Sequence, residues 1–189
     1  MKNILHILFL YILCNVTQLN AEEIPYLLTA SAKGDIETVK AIIQSGGDPN
    51  TEDKDKINAL MYASRKNQVA IVEYLISQGA EINKVENDGW TALMFAAKKN
   101  YTETIKTLLN NNADPKITDP DGWSAYGLAA TSGHYETINL LLKGGIDPNS
   151  RNNSGLTVLM LACKSGNIKT IETLINNGAK VELKDRYSK

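Results

Sequence analysis

One spacing constrains this chain more than any other feature. Alanines recur at Ala30, Ala63, Ala96, Ala129 and Ala162, each 33 residues after the last. Gly89, Gly122 and Gly155 keep the same step, as do Leu27, Leu60, Leu93 and Leu159, with Tyr126 in the fourth slot. A fixed period of this length marks a repeat array, in which one unit is too small to bury its own apolar face. Stacked neighbours share that face, so stability accumulates along the array. The chain divides into 22–54, 55–87, 88–120, 121–153 and 154–186, leaving only Tyr187-Ser188-Lys189 over.

Each unit carries its own punctuation. Asn58, Thr91, Ser124 and Thr157 are residue types whose side-chain oxygen caps the first free N–H groups of a helix. An apolar inner helix follows, such as Leu93-Met94-Phe95-Ala96-Ala97. It stops at Gly34, Asn67, Asn100, Gly133 and Gly166, types that tolerate the left-handed closing conformation. A second helix shows 3.6-residue periodicity, with Ile105, Leu108 and Leu109 or Ile138, Leu141 and Leu142, and stops at Gly46, Gly79, Asn112, Gly145 and Gly178. Asp88-Gly89 and Asp121-Gly122 then signal tight turns. The fold class that follows is all-α: a solenoid of helix-turn-helix pairs joined by β-turn or hairpin loops.

The segment DGWTALMFAA at 88–97, with GGDPN at 46–50 and GIDPN at 145–149, resembles the ankyrin repeat. The likeness covers nearly all of 22–189, with 22–54 as the N-terminal capping repeat. It implies a concave groove, built from turn tips and the solvent side of the inner helices, that holds a partner protein. There are departures. The family's T-P-L-H reads T-A-L-M at 91–94, N-A-L-M at 58–61 and T-V-L-M at 157–160, so Met61, Met94 and Met160 replace a hydrogen-bonding histidine. Looser ties between loops are expected. Unit four puts Tyr126 beside Gly127. Lys56 stands in the turn-glycine slot of unit two, where a positive φ is unfavourable for a residue with a Cβ, and predicts a different turn.

Function then rests on side chains that packing does not require. By register, the turn-tip row holds Ile57, Trp90, Trp123 and Leu156, all apolar, including the chain's two tryptophans. The inner-helix row holds Arg65, Lys66, Lys98, Lys99, Thr131 and Lys164, and the tips add Asp88 and Asp121. Exposed aromatics flanked by charge fit a protein-binding hot spot. Equally, each Trp could fold back over its own turn, and a lysine row could be an ordinary solvated face.

Residues 1–21 differ from the rest. Lys2 precedes a 13-residue apolar run, Ile4 to Val16, and a polar stretch leads to Ala21. Positive start, short apolar core and small residue at the end describe a secretory signal. The run is short for a membrane-spanning helix, which needs about 20 residues. Periplasmic or secreted export is expected, with no stable membrane insertion after cleavage. An uncleaved anchor and lipidation at Cys14 are the lesser alternatives; the Lys-, Asn- and Ile-rich leader suggests a bacterial source. Cleavage would leave one cysteine, Cys163, and one histidine, His134, too few for a disulfide or a zinc site. Cys163 occupies the slot of Ser31, Ser64, Ala97 and Ala130, which predicts a small buried residue. A net charge of −1 gives no basic excess for nucleic acid. No nucleotide-binding, metalloprotease or nucleophile constellation appears. The expectation is a monomer with a protein partner, no cofactor, no metal and no catalytic residue.

Overall fold

The computed structural model describes residues 25–186; the candidate leader lies outside them. Ten helices occupy these residues, in five antiparallel pairs: α1 Tyr26–Lys33 and α2 Ile36–Gln44, α3 Ala59–Ser64 and α4 Val69–Ser77, α5 Ala92–Lys98 and α6 Thr102–Asn110, α7 Ala125–Thr131 and α8 Tyr135–Lys143, α9 Val158–Ser165 and α10 Ile168–Asn176. Odd-numbered helices form the inner layer and even-numbered ones the outer layer. Each packs on its partner and on the equivalent helix of the adjacent pair.

Local chemistry sets the helix ends. The side chains of Asn58, Thr91 and Thr157 accept from the backbone N–H three residues on; Ser124 occupies the cap position of α7 without that bond. Gly34, Asn67, Asn100, Gly133 and Gly166 all have φ between 59° and 84°. That conformation lets the next residue donate back to the inner helix, as in Gln68 N–H to Ala63 O at 3.0 Å and His134 N–H to Ala129 O at 3.0 Å. This is the six-to-one bond of a Schellman motif, which satisfies carbonyls the helix end would leave bare.

The core is a ladder along the array: the five repeat alanines are 0–5% exposed, and Leu60, Leu93, Tyr126, Leu75, Leu108 and Leu141 are 0–1% exposed. Polar rungs join neighbouring pairs. Thr104 Oγ1 donates to Asn67 Oδ1 at 2.9 Å and Thr137 Oγ1 to Asn100 Oδ1 at 2.7 Å. His134 Nε2 lies 3.1 Å from Lys98 O. In the loops, Asn50, Asn83 and Asn149 each bond the backbone of the next loop twice, as in Asn83 Nδ2 to Asn112 O at 3.3 Å and Asp114 N–H to Asn83 Oδ1 at 2.8 Å. Asparagine thus ties successive loops, at a register separate from Met61, Met94 and Met160. Lys116 takes that register position in the third loop and makes neither bond.

Two expectations need correction. Lys56 does not produce a different turn. Its φ is 63° and its N–H donates to Asp53 O at 3.0 Å, the geometry of Gly89, Gly122 and Gly155 with φ of 77–82°. The turn is imposed by Asp53, whose carboxylate accepts from Asp55 and Ile57 N–H at 2.9 Å each. Cys163 is exposed, not buried. Its counterparts Ser31, Ser64, Ala97 and Ala130 are buried because a following repeat covers them; no described residues cover Cys163.

Candidate interaction face

The turn tips are hairpins closed by one repeated device. The residue before each turn accepts two backbone N–H groups through its side chain. Asp53 does so for Asp55 and Ile57, Glu86 for Asp88 and Trp90, Asp119 for Asp121 and Trp123, and Asn152 for Ser154 and Leu156, all at 2.8–3.1 Å. The same residues pair by backbone with the tip row, as in Glu86 N–H to Trp90 O at 3.1 Å. Sequence reasoning passed over these four, although their step of 33 was there to be read. They fix the backbone of Ile57, Trp90, Trp123 and Leu156 at equivalent places on four successive hairpins.

All four tip residues are half-buried, between the two alternatives the sequence left open. Trp90 lies tilted on Phe95 of α5, ring centroids 5.2 Å apart at 54°. Trp123 leans over α7, where a Cβ on Gly127 would sit 2.8 Å from its Cε3. That explains the unusual Tyr126-Gly127 pair. Tyr126 fills the core, and Gly127 vacates the place of the methionine in other units so that the indole can settle. Tyr126 is fully buried and its hydroxyl has no hydrogen-bond partner. Burial, reinforced by Asp147, pushes its phenol well above the ordinary range. A cleft of about 310 Å³ opens beside Trp123, lined also by Gly127, Ile146, Leu156 and Val158, with Lys116 at its rim.

Asp88 and Asp121 are exposed at the tips. Neighbouring hairpins are joined by Asn87 N–H to Asp55 O and Asn153 N–H to Asp121 O, both at 3.1 Å. The corresponding bond to Asp88 is missing because Pro120 has no N–H. On the inner helices and the turns that end them, Lys66, Lys98, Lys99, Thr131 and Lys164 are exposed. Arg65 is half-buried, its guanidinium 4.2 Å from the centre of the Tyr62 ring, whose hydroxyl donates to Asp53 at 2.8 Å. Burial, and secondarily Asp53, raises the Tyr62 phenol. Thr131 Oγ1 donates to Leu128 O at 2.9 Å. None of the ion pairs among the described residues involves Arg65 or these lysines. The face thus combines acidic tips, a half-exposed apolar ridge and a basic inner shelf. Among the described residues no group of three or more His, Cys, Asp or Glu side chains could hold a metal, and no helix is long and apolar enough to cross a membrane.

Comparison with curated proteins returned no match. The model of the family described as ankyrin repeats (3 copies) matches residues 27–119 and 103–185, together nearly every described residue. With five helix pairs, left-handed helix ends and hairpin tips at one register, this chain belongs to the ankyrin repeat family.

Proposed function

We propose that this chain is an exported, non-catalytic module that binds a partner protein through its hairpin tips and inner helices. Ankyrin arrays are generally protein–protein interaction modules. The observation that supports this face is the ridge of Ile57, Trp90, Trp123 and Leu156, each half-exposed and each held by paired N–H bonds to the residue before its turn. Pre-organised aromatic anchors lose little freedom on binding, which is how a few residues come to dominate an interface. Asp88 and Asp121 flank the ridge, and Arg65, Lys66, Lys98, Lys99, Thr131 and Lys164 complete the surface. Unpaired charge of both signs favours orientation and encounter rate over affinity.

The apolar run of 1–21 supports delivery outside the cytoplasm, to the periplasm or, in the alternative reading, beyond the cell to a host protein. Affinity capture with the wild-type chain and a Trp90→Ala/Trp123→Ala variant tests the binding face. Loss of the partner by a variant that keeps its helical spectrum is the expected result. Retention of every partner by that variant would remove the ridge from the interface. Fractionation tests delivery: recovery in the cytoplasm alone contradicts export.

A further inference from the structure

The two ends of the array are unlike its middle. Three register positions face the preceding repeat. In units two to five they are buried, 0–4% exposed: Ala59, Ile71 and Leu75 in unit two, for example, or Val158, Thr170 and Leu174 in unit five. In unit one the same positions hold Tyr26, 74% exposed, with Thr38 and Ile42 half-buried. At the other end, the positions that face the following repeat open up. Ile138 is buried but Ile171 is half-buried; Tyr135 and Leu142 are half-buried but Ile168 and Ile175 are 70% and 46% exposed. Val181 is 70% exposed where Pro148 is half-buried. The last described repeat therefore presents the surface that receives a neighbour, and Ile168, Ile171, Ile175 and Val181 there are apolar, with Glu182, at the register of Asn149, as a charged loop position. A terminal repeat that meets only water has a polar outer face.

We propose that this C-terminal face receives the first repeat of a second copy of the chain, end to end. Register supports this occupant. Tyr26, Thr38 and Ile42 stand at the positions by which every later unit seats on its predecessor, so a docked first unit continues the stack. Charge supports it too. Residues 25–54 contain five carboxylates against three lysines, whereas 154–186 contain five cations against three carboxylates. Units 55–87 and 88–120 are balanced at four of each. Opposite net charge meets in head-to-tail contact, and like charge opposes last-on-last pairing. The contact is heterologous and leaves a free face at each end, so assembly is open-ended unless the rotation closes. It uses the ends of the array, not the concave face, and stands independently of the binding proposal.

Sedimentation velocity under reducing conditions tests it, with the full chain and the chain from residue 22 in parallel. The weight-average mass is expected to rise with concentration in both, and less so in 1 M salt, where the screening length is about 3 Å. Tyr26→Lys damages only the front face and Ile168→Glu only the rear; both sites are exposed, and an unchanged helical spectrum confirms folding. Each variant alone is expected to remain monomeric. Their equimolar mixture should form a dimer and stop there, since each supplies one intact face. Should Ile168→Glu unfold, Val181→Glu replaces it. A monomer up to about 1 mM, the scale of the weakest specific contacts, overturns the proposal. So does association that survives Tyr26→Lys but not Ile168→Glu, which is rear-to-rear pairing, or association that needs residues 1–21.

Discussion

Lys56→Gly should stabilise this protein, and the structure sets the size of the gain. Lys56 holds φ at 63°, where a Cβ crowds the backbone at roughly 1–2 kcal/mol. Glycine removes that strain but brings more freedom to the unfolded chain, offsetting about 0.5–1 kcal/mol. The side chain is exposed and takes part in no described ion pair, so little else is lost. The net gain is about 0.5–1 kcal/mol, which for an array of this length raises the melting temperature by roughly 1–4 °C. Thermal and urea unfolding followed by circular dichroism measure it, and an unchanged urea slope confirms that only stability moved. Lys56→Ala keeps the Cβ and should gain nothing. Gly122→Ala is the mirror test. It adds a Cβ at φ 82° and places it 2.6 Å from Asn153 N, so it should cost at least the strain that Lys56→Gly relieves. Equal gains from Lys56→Gly and Lys56→Ala, or no gain from either, would refute the argument that strain resides in φ.

Three further substitutions probe the third loop and the fourth unit. Lys116→Asn restores the loop rung made by Asn50, Asn83 and Asn149, and two new hydrogen bonds to the next loop should add about 1–2 kcal/mol in urea unfolding. Tyr126→Phe deletes a buried hydroxyl that lacks a partner; stability at neutral pH should hold or rise by about 1 kcal/mol. Because burial raises the folded phenol above its unfolded value of 10.0, wild-type Tyr126 contributes stability in full below pH 10 and loses it as pH rises further. The Phe variant should lose less over that alkaline range. Gly127→Ala should displace the Trp123 indole, 2.8 Å from the new Cβ, and red-shift tryptophan emission while leaving the helical spectrum intact.

What the sequence made legible follows from what is local. Helix caps, left-handed closures and the 33-residue step depend on residue type alone, and the helix pairs stand where Asn58, Thr91 and Thr157 begin them and Asn67 or Gly133 ends them. Lys56 departs from expectation because residue propensity leaves out Asp53, whose carboxylate accepts from the two N–H groups that close the turn. Cys163 departs from expectation because burial in a solenoid comes from the neighbour, and no described residues cover this position. Register alone locates the tip row of Ile57, Trp90, Trp123 and Leu156. What holds it, the acid or amide before each turn, was visible as a period but had no assigned task until the hairpins were seen. The Tyr126-Gly127 exchange stood out in the sequence, yet only the position of the Trp123 ring explains it.

The most direct test of the binding face is hydrogen–deuterium exchange on the chain alone and bound to its captured partner. Protection concentrated at 85–91, 118–124 and 152–157, with the adjoining inner helices, is the predicted result. Protection confined to the outer helices Val69–Ser77, Thr102–Asn110 and Tyr135–Lys143, with the tips unchanged, would contradict it.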